Sequence, residues 1–184
     1  MIEQDEKTCI QAAKADPSAF GALYERYVDR IYNYIYYRVG NVHDAEDLTS
    51  RTFYRALSHL EGYEDKGVPF SAWLYRIAHN LVANWHRDRK RRPTVALDEL
   101  VVRSRRKEHP EIIAELASNT RFLREAIRDL DPPRQELLLL KFTEDLSNAE
   151  IGSIMGRSEG AIKSLYHRTL LALRKNLLKK GIED

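Results

Sequence analysis

The chain of 184 residues carries 30 Lys and Arg against 28 Asp and Glu, a formal net charge of +2, so any nucleic-acid affinity must come from local clusters. A single cysteine, Cys9, excludes an intrachain disulfide framework or thiolate metal site and suits a reducing compartment. The polar, acidic start MIEQDEKTCIQAAKAD is unlike a signal peptide, and the apolar run Leu137–Leu140 is too short for a bilayer, so a cytoplasmic protein without membrane insertion is expected.

Glycine and proline are scarce, and the period-two alternation of strands is missing. The expected fold class is therefore all-α, with two small helical domains joined by a flexible linker and a helix-turn-helix in the C-terminal one. Asp16-Pro17, a cap followed by proline, starts a helix running to about Val39, with Phe20, Leu23, Tyr24, Tyr27, Ile31, Tyr34 and Ile35 on one face. Gly40-Asn41 breaks it. A second helix runs from about His43 to Leu60, with Asp44, Glu46 and Asp47 in its first turns, where the helix dipole favours acids. The charged loop Glu61–Val68 leads to a third helix from near Pro69, whose apolar face is Leu74, Ile77, Ala78, Leu81 and Trp85. It ends in the basic run Arg87–Arg92, closed by Pro93.

From Pro93 to about Leu116 no stable period holds, as in an interdomain linker, although Glu111–Leu116 fits a short helix. The second domain begins near Asn119, with one helix to Leu130 and another opening at the cap Asp131 and Pro132-Pro133. Ser147-Asn148-Ala149-Glu150 forms a capping box whose helix stops at Gly156, and Ser158 caps a final helix to about Lys180. The expected domains are 1–92 and 119–184, with 93–118 as linker and no further domain beyond Lys180.

A short capped helix, a glycine turn and a longer basic helix describe a helix-turn-helix. Ile151, Ile154, Met155, Ile162 and Leu165 are spaced to pack the two helices, and Gly152 and Ala161 permit a close crossing. The outer face then offers Lys163, Ser164, His167 and Arg168 to base edges and phosphates of a major groove. Arg174, Lys175, Lys179 and Lys180 lie too far along to share that groove. An amphipathic hairpin with a solvated basic face is the simpler alternative, but box, turn and spacing together favour DNA binding.

On the third helix, Trp73, Arg76, Asn80 and Arg87 follow three- and four-residue steps through Asn84 and share one side. An aromatic ring beside cations and an amide suits unpaired bases, which stack on rings while the backbone follows positive charge. Tyr63 in the preceding loop can extend this surface. Phe70 reads as core, and Trp73 fits core and stacking roles equally. The acids of the second helix suit a basic or coiled-coil partner, though capping alone explains acids there. His79 and His86 lack a third ligand nearby and read as surface or packing residues. Without a Gly-rich phosphate loop, a nucleophile elbow or metal-spaced ligands, no catalytic residue, cofactor or metal is expected.

These segments resemble the extracytoplasmic-function sigma factors of bacterial RNA polymerase. DAEDL-x-x-x-TF resembles their core-polymerase-binding segment, and FSAWLYRIAHN the segment that melts and holds the −10 promoter element. SNAEIGSIMGRSEGAIKSLYHRTLLAL resembles their −35-reading helix-turn-helix. All three stand in the family's order. The resemblance implies that Asp44, Glu46, Asp47, Leu48 and Phe53 belong to the polymerase-contacting or supporting helix. It puts Trp73, Arg76 and Asn80, with loop residues near Tyr63, where the −10 non-template strand is captured. It puts Lys163, Ser164, His167 and Arg168 where the −35 element is read, and threads the linker toward the polymerase active centre and RNA exit path. Core RNA polymerase, promoter DNA and an anti-sigma protein are the implied partners of a chain expected to be monomeric when free. Two places depart from the family pattern: Ser50-Arg51 replaces a common Gln-Glu, and Asn84 a common aspartate. The alternatives are a conventional helix-turn-helix regulator that binds duplex DNA without being a polymerase subunit, and a helical adaptor that binds only proteins.

Overall fold

The computed structural model describes residues 5–64, 67–88 and 121–180, and every regular element among them is helical. In chain order these are α1 (Glu6–Ala15), a 3-10 turn (Pro17–Phe20), α2 (Gly21–Val39), α3 (Val42–His59), α4 (Phe70–Asp88), α5 (residues 121–128), α6 (Pro132–Thr143), α7 (Asn148–Met155) and α8 (Glu159–Lys179). Two compact units result, one holding α1 to α4 and the other built on α5, α6 and α8. Among the described residues, no helix is long and apolar enough to cross a membrane. The expected linker 93–118, with its helical stretch 111–116, lies outside the described residues, as does 89–92 of the basic run.

The first unit begins with a helix that the sequence pattern did not reveal. α1 buries only Cys9, Ile10 and Ala13, too sparse a stripe to read as a period. Asp16 then caps as expected. Its carboxylate accepts the Ser18 N–H at 2.9 Å and the Ser18 hydroxyl at 2.7 Å, which holds it below the usual carboxylate range. The continuous helix expected from there is instead a 3-10 turn followed by α2. That turn closes through the Ala19 N–H to the Asp16 carbonyl at 3.0 Å, an i+3 bond tighter than the α pattern.

Helices α2, α3 and α4 pack pairwise around one core, with Leu23, Ile31, Tyr34, Ile35, Leu48, Leu74, Tyr75 and Leu81 almost fully buried. Burying each such side chain stabilises the fold by about 2 kcal/mol before entropy is counted. Because α2 touches both neighbours, its second half buries Tyr37, Arg38 and Val39 beyond the expected stripe. Tyr24, expected inward, is 43 % exposed, with its ring edge on Phe53 at 4.8 Å. On α4, for the same reason, Tyr75, Val82 and His86 take buried places, while Ile77 and Trp85 are half-buried. The buried Arg38 guanidinium donates to the Tyr34 hydroxyl at 2.7 Å and stands 3.3 Å from His79 Nδ1. Gly40 ends α2 with φ 67°, its N–H on the Tyr36 carbonyl at 2.8 Å. The Asn41 side chain then accepts the Asp44 N–H at 3.1 Å to open α3. Two residues make the whole corner.

In the second unit, the buried Gln135 amide lies 3.1, 3.0 and 2.8 Å from the carbonyls of Ile127, Arg128 and Leu130, satisfying the end of α5. Asp131 stands at the head of α6, but its side chain makes no cap hydrogen bond. Pro132 and Pro133 have no N–H to offer it, and it pairs with Arg134 Nε at 3.3 Å instead. The end of α8 returns to α5, where Asn176 donates to the Ala126 carbonyl at 3.0 Å. Lys180 Nζ lies there 3.2 Å from Asp129 and 3.6 Å from Glu125.

Candidate nucleic-acid interface

The turn between α7 and α8 is assembled from local hydrogen bonds. Ser147 and Glu150 cap each other: the Ser147 N–H donates to Glu150 Oε2 at 2.6 Å, and the Glu150 N–H to Ser147 Oγ at 3.2 Å. Gly156 takes φ 66°, and the Arg157 N–H returns to the Gly152 carbonyl at 2.9 Å. A Cβ on Gly152 would lie 2.6 Å from the Arg157 carbonyl oxygen, so only glycine fits this approach. Ser158 Oγ accepts the Ala161 N–H at 3.2 Å and starts α8. Ile162, Leu165 and Thr169 face inward, which turns Lys163, Ser164, His167 and Arg168 to solvent. Lys163 Nζ is 2.9 Å from Glu159 Oε1, and Arg168 Nε donates to the Ser164 carbonyl at 3.2 Å. Both cations thus lie along the helix within its first three turns.

On α4 an aromatic cluster underlies the exposed polar stripe. Trp73 is half-buried, and Arg76, Asn80 and Arg87 are exposed, with Asn84 half-buried between them. Tyr63 is 8 % exposed and backs Trp73 rather than adding open surface. Its ring centroid lies 5.0 Å from Trp73 and 5.3 Å from Phe70, and Phe70 lies 5.4 Å from Trp73. Phe70 is core, meeting Tyr27 at 5.9 Å. Trp73 therefore serves the core with one part of its ring and presents the rest beside Arg76.

On α3 the five residues singled out by sequence divide in two. Glu46 and Asp47 are exposed and Asp44 is half-buried, while Leu48 and Phe53 are core residues at 1 % and 4 % exposure. Arg51 Nη1 lies 3.5 Å from Asp47 Oδ2 across one turn, so the departing arginine partly neutralises its own face. Tyr54, which sequence reasoning missed, is 72 % exposed on that same face, seven residues beyond Asp47. Its three- and four-residue spacing from Asp47 through Ser50, along one exposed stripe of the helix, was the available signal. Among the described residues, no three His, Cys, Asp or Glu side chains gather as a metal site.

A sigma-70 region 2 family model matches residues 23–92, and a sigma-70 region 4 model matches residues 122–173. SigW of Bacillus subtilis, an ECF RNA polymerase sigma factor, is 35 % identical over 185 residues, covering 94 % of this chain and 96 % of SigW. The chain belongs to the extracytoplasmic-function sigma factors. The ECF sigma factor BldN of Streptomyces coelicolor is 44 % identical over 178 residues, and the matched stretch spans 96 % of this chain and 66 % of BldN. The solved structure of CnrH in complex with the cytosolic domain of CnrY shares the fold, with a TM-score of 0.62 at 23 % identity over 96 % of this chain and 99 % of that one. In this sigma factor the region 2 match takes in α2 to α4, and the region 4 match runs from α5 into α8. Helix α1 lies ahead of both.

Proposed function

We propose that this sigma factor binds core RNA polymerase and directs it to promoters, reading −35 duplex DNA with α8 and capturing unpaired −10 bases on α4. The observation that carries this reading is the half-exposed Trp73, packed against buried Tyr63 with the rings tilted at 47° and followed along α4 by the exposed Arg76 and Asn80. A conventional helix-turn-helix regulator has no use for such a platform. Stacking a base on an aromatic ring is worth about 1–3 kcal/mol, and unstacking a duplex step costs a few kcal/mol, so one or two captured bases offset local melting. Arg76 and Arg87 follow the strand backbone, Asn80 offers an amide to a base edge, and Tyr63 fixes the plane of Trp73.

Lys163, Ser164, His167 and Arg168 read and grip the −35 element. Phosphate contacts supply affinity there, and base-edge contacts the sequence preference. Asp44, Glu46, Asp47 and Tyr54 form the face offered to core polymerase, which Leu48 and Phe53 hold in place from the core side. The working division is 1–92, 93–118 and 119–184, with the middle segment bridging the two DNA-reading units. No step calls for a catalytic residue: opening is driven by binding energy in a cytoplasmic, non-enzymatic subunit. An anti-sigma protein that masks these faces is the fitting regulator of a free monomer.

Run-off transcription with sigma-free core polymerase on a pool of genomic promoter fragments tests the reading. Discrete transcripts that depend on this protein are expected. No transcripts, together with tight duplex binding by the protein alone, would replace the reading with that of a conventional regulator.

A further inference from the structure

We propose that α1, which precedes the segment matched to sigma-70 region 2, is a working part of the base-capturing site, with Lys14 as a positioning residue that sets Tyr63 and through it Trp73. The inference rests on the −10 reading above and extends it to an element outside that match.

Tyr63 is held from several directions at once. Its N–H donates to the Leu60 carbonyl at 3.0 Å, and its hydroxyl to the Val68 carbonyl at 3.4 Å. Its ring is packed by Phe70 and Trp73, with centroids at 5.3 and 5.0 Å. A further hold comes from 49 residues away: Lys14 Nζ donates to the Tyr63 carbonyl at 2.5 Å and lies 5.9 Å from its ring centroid. One ammonium thus fixes both the backbone and the ring face of the residue on which Trp73 rests. A charge-assisted hydrogen bond to a partly buried carbonyl is among the stronger polar contacts available to a loop.

Helix α1 is itself firmly placed. Cys9, Ile10 and Ala13 are buried, and the Tyr27 hydroxyl of α2 donates to Glu6 in the first turn of α1. Burial and that hydrogen bond push the Tyr27 phenol well above its ordinary range, so it remains a donor throughout the working pH range. Lys14 therefore extends from a fixed base to the backbone of the loop that carries Tyr63. Losing that hold frees the tyrosine to shift and lets Trp73 tilt out of the plane that a base must stack on. Misplacing a rigid aromatic platform costs stacking without unfolding the unit that carries it.

The test reconstitutes the full chain with core polymerase on a promoter carrying 2-aminopurine in the −10 element. Wild type, Lys14→Met, Lys14→Arg and Trp73→Ala are compared, and opening is scored per core-bound molecule so that any loss of folded protein divides out. Lys14→Met keeps the aliphatic stem but removes the donor, and should reduce open complexes about threefold to tenfold, the range of one lost hydrogen bond. Lys14→Arg, which restores a cationic donor, should recover most of the signal. Core affinity and duplex −35 binding should stay at the wild-type level in both. If Lys14→Met opens like wild type while Trp73→Ala is defective, the role of α1 is overturned and the −10 reading stands. If Trp73→Ala also opens normally, both fall. Equal losses of opening and core affinity in Lys14→Met would make Lys14 a general strut and overturn the proposal.

Discussion

A single absent methyl group sets the turn between α7 and α8. At Gly152 the obstacle to a Cβ is a backbone oxygen 2.6 Å away, not the far end of a flexible side chain, so the turn must open to admit it. Gly152→Ala should therefore destabilise the second unit by about 1–3 kcal/mol, the usual cost of overpacking. Guanidinium unfolding followed at the Ile162 and Leu165 methyl groups would measure this, and an unchanged midpoint would refute the steric account. The importance of Gly152 was legible in the sequence, since a glycine inside a short capped helix already asks for an explanation. Tyr63 is the opposite case. Its composition and loop position suggested an exposed ring, and only the three-dimensional closure of Phe70 and Trp73 around it shows a supporting ring instead.

At the scale of the helix, ends were more legible than faces. Asp16, Ser147 with Glu150, and Ser158 announce their helices because a cap is a local bargain between a side chain and nearby amides, written in adjacent residues. Faces depend on how many neighbours a helix has, which no local pattern records. That is why Tyr24 turned outward and Tyr75 inward, and why α1 went unread. The link between α5 and α8 belongs with the faces. Arg121 Nε lies 3.1 Å from Glu125, and this hydrogen bond, with help from Lys180, holds the Glu125 carboxyl below its ordinary range. The hydrogen bond to Asp129 in turn raises Lys180. A carboxylate with a lowered folded pKa stabilises the fold above its unfolded pKa and ceases to do so as pH falls through the folded value. The tie between α8 and α5 should thus slacken as pH falls below the ordinary carboxylate range. Protection factors of the amides in the last turn of α8, corrected for the pH dependence of intrinsic exchange, should fall more between about pH 6 and pH 3 in wild type than in Glu125→Gln. Equal falls would assign the acid sensitivity elsewhere.

For the whole molecule, the order of three segments made the family legible before any fold was known, whereas the allocation of roles within each segment was not. Leu48 and Phe53 sit in the docking segment by sequence yet lie in the core, and Tyr54 beside them is the open residue. On the proposed reading, two weak DNA sites act together because polymerase holds them on one scaffold, which raises the effective concentration of each. The Lys163→Ala/Arg168→Ala double variant should bind core polymerase normally and lose −35 duplex affinity about tenfold or more, with a shallower salt dependence as phosphate contacts disappear. Fluorescence anisotropy on labelled promoter fragments across a salt series would show it, and an unaltered slope would remove these residues from the interface. The two-residue corner at Gly40-Asn41 carries a different kind of information, about which changes of length the chain can inherit. Inserting one residue there rotates everything downstream in α3 by about 100° around the helix axis. Phe53 would swing into the open place of Tyr54, and the carboxylate of Asp47 into the buried place of Leu48. A lineage can exchange the residues along that helix, as Ser50 and Arg51 illustrate, but its spacing from α2 is a phase that drift in length cannot pass through gradually.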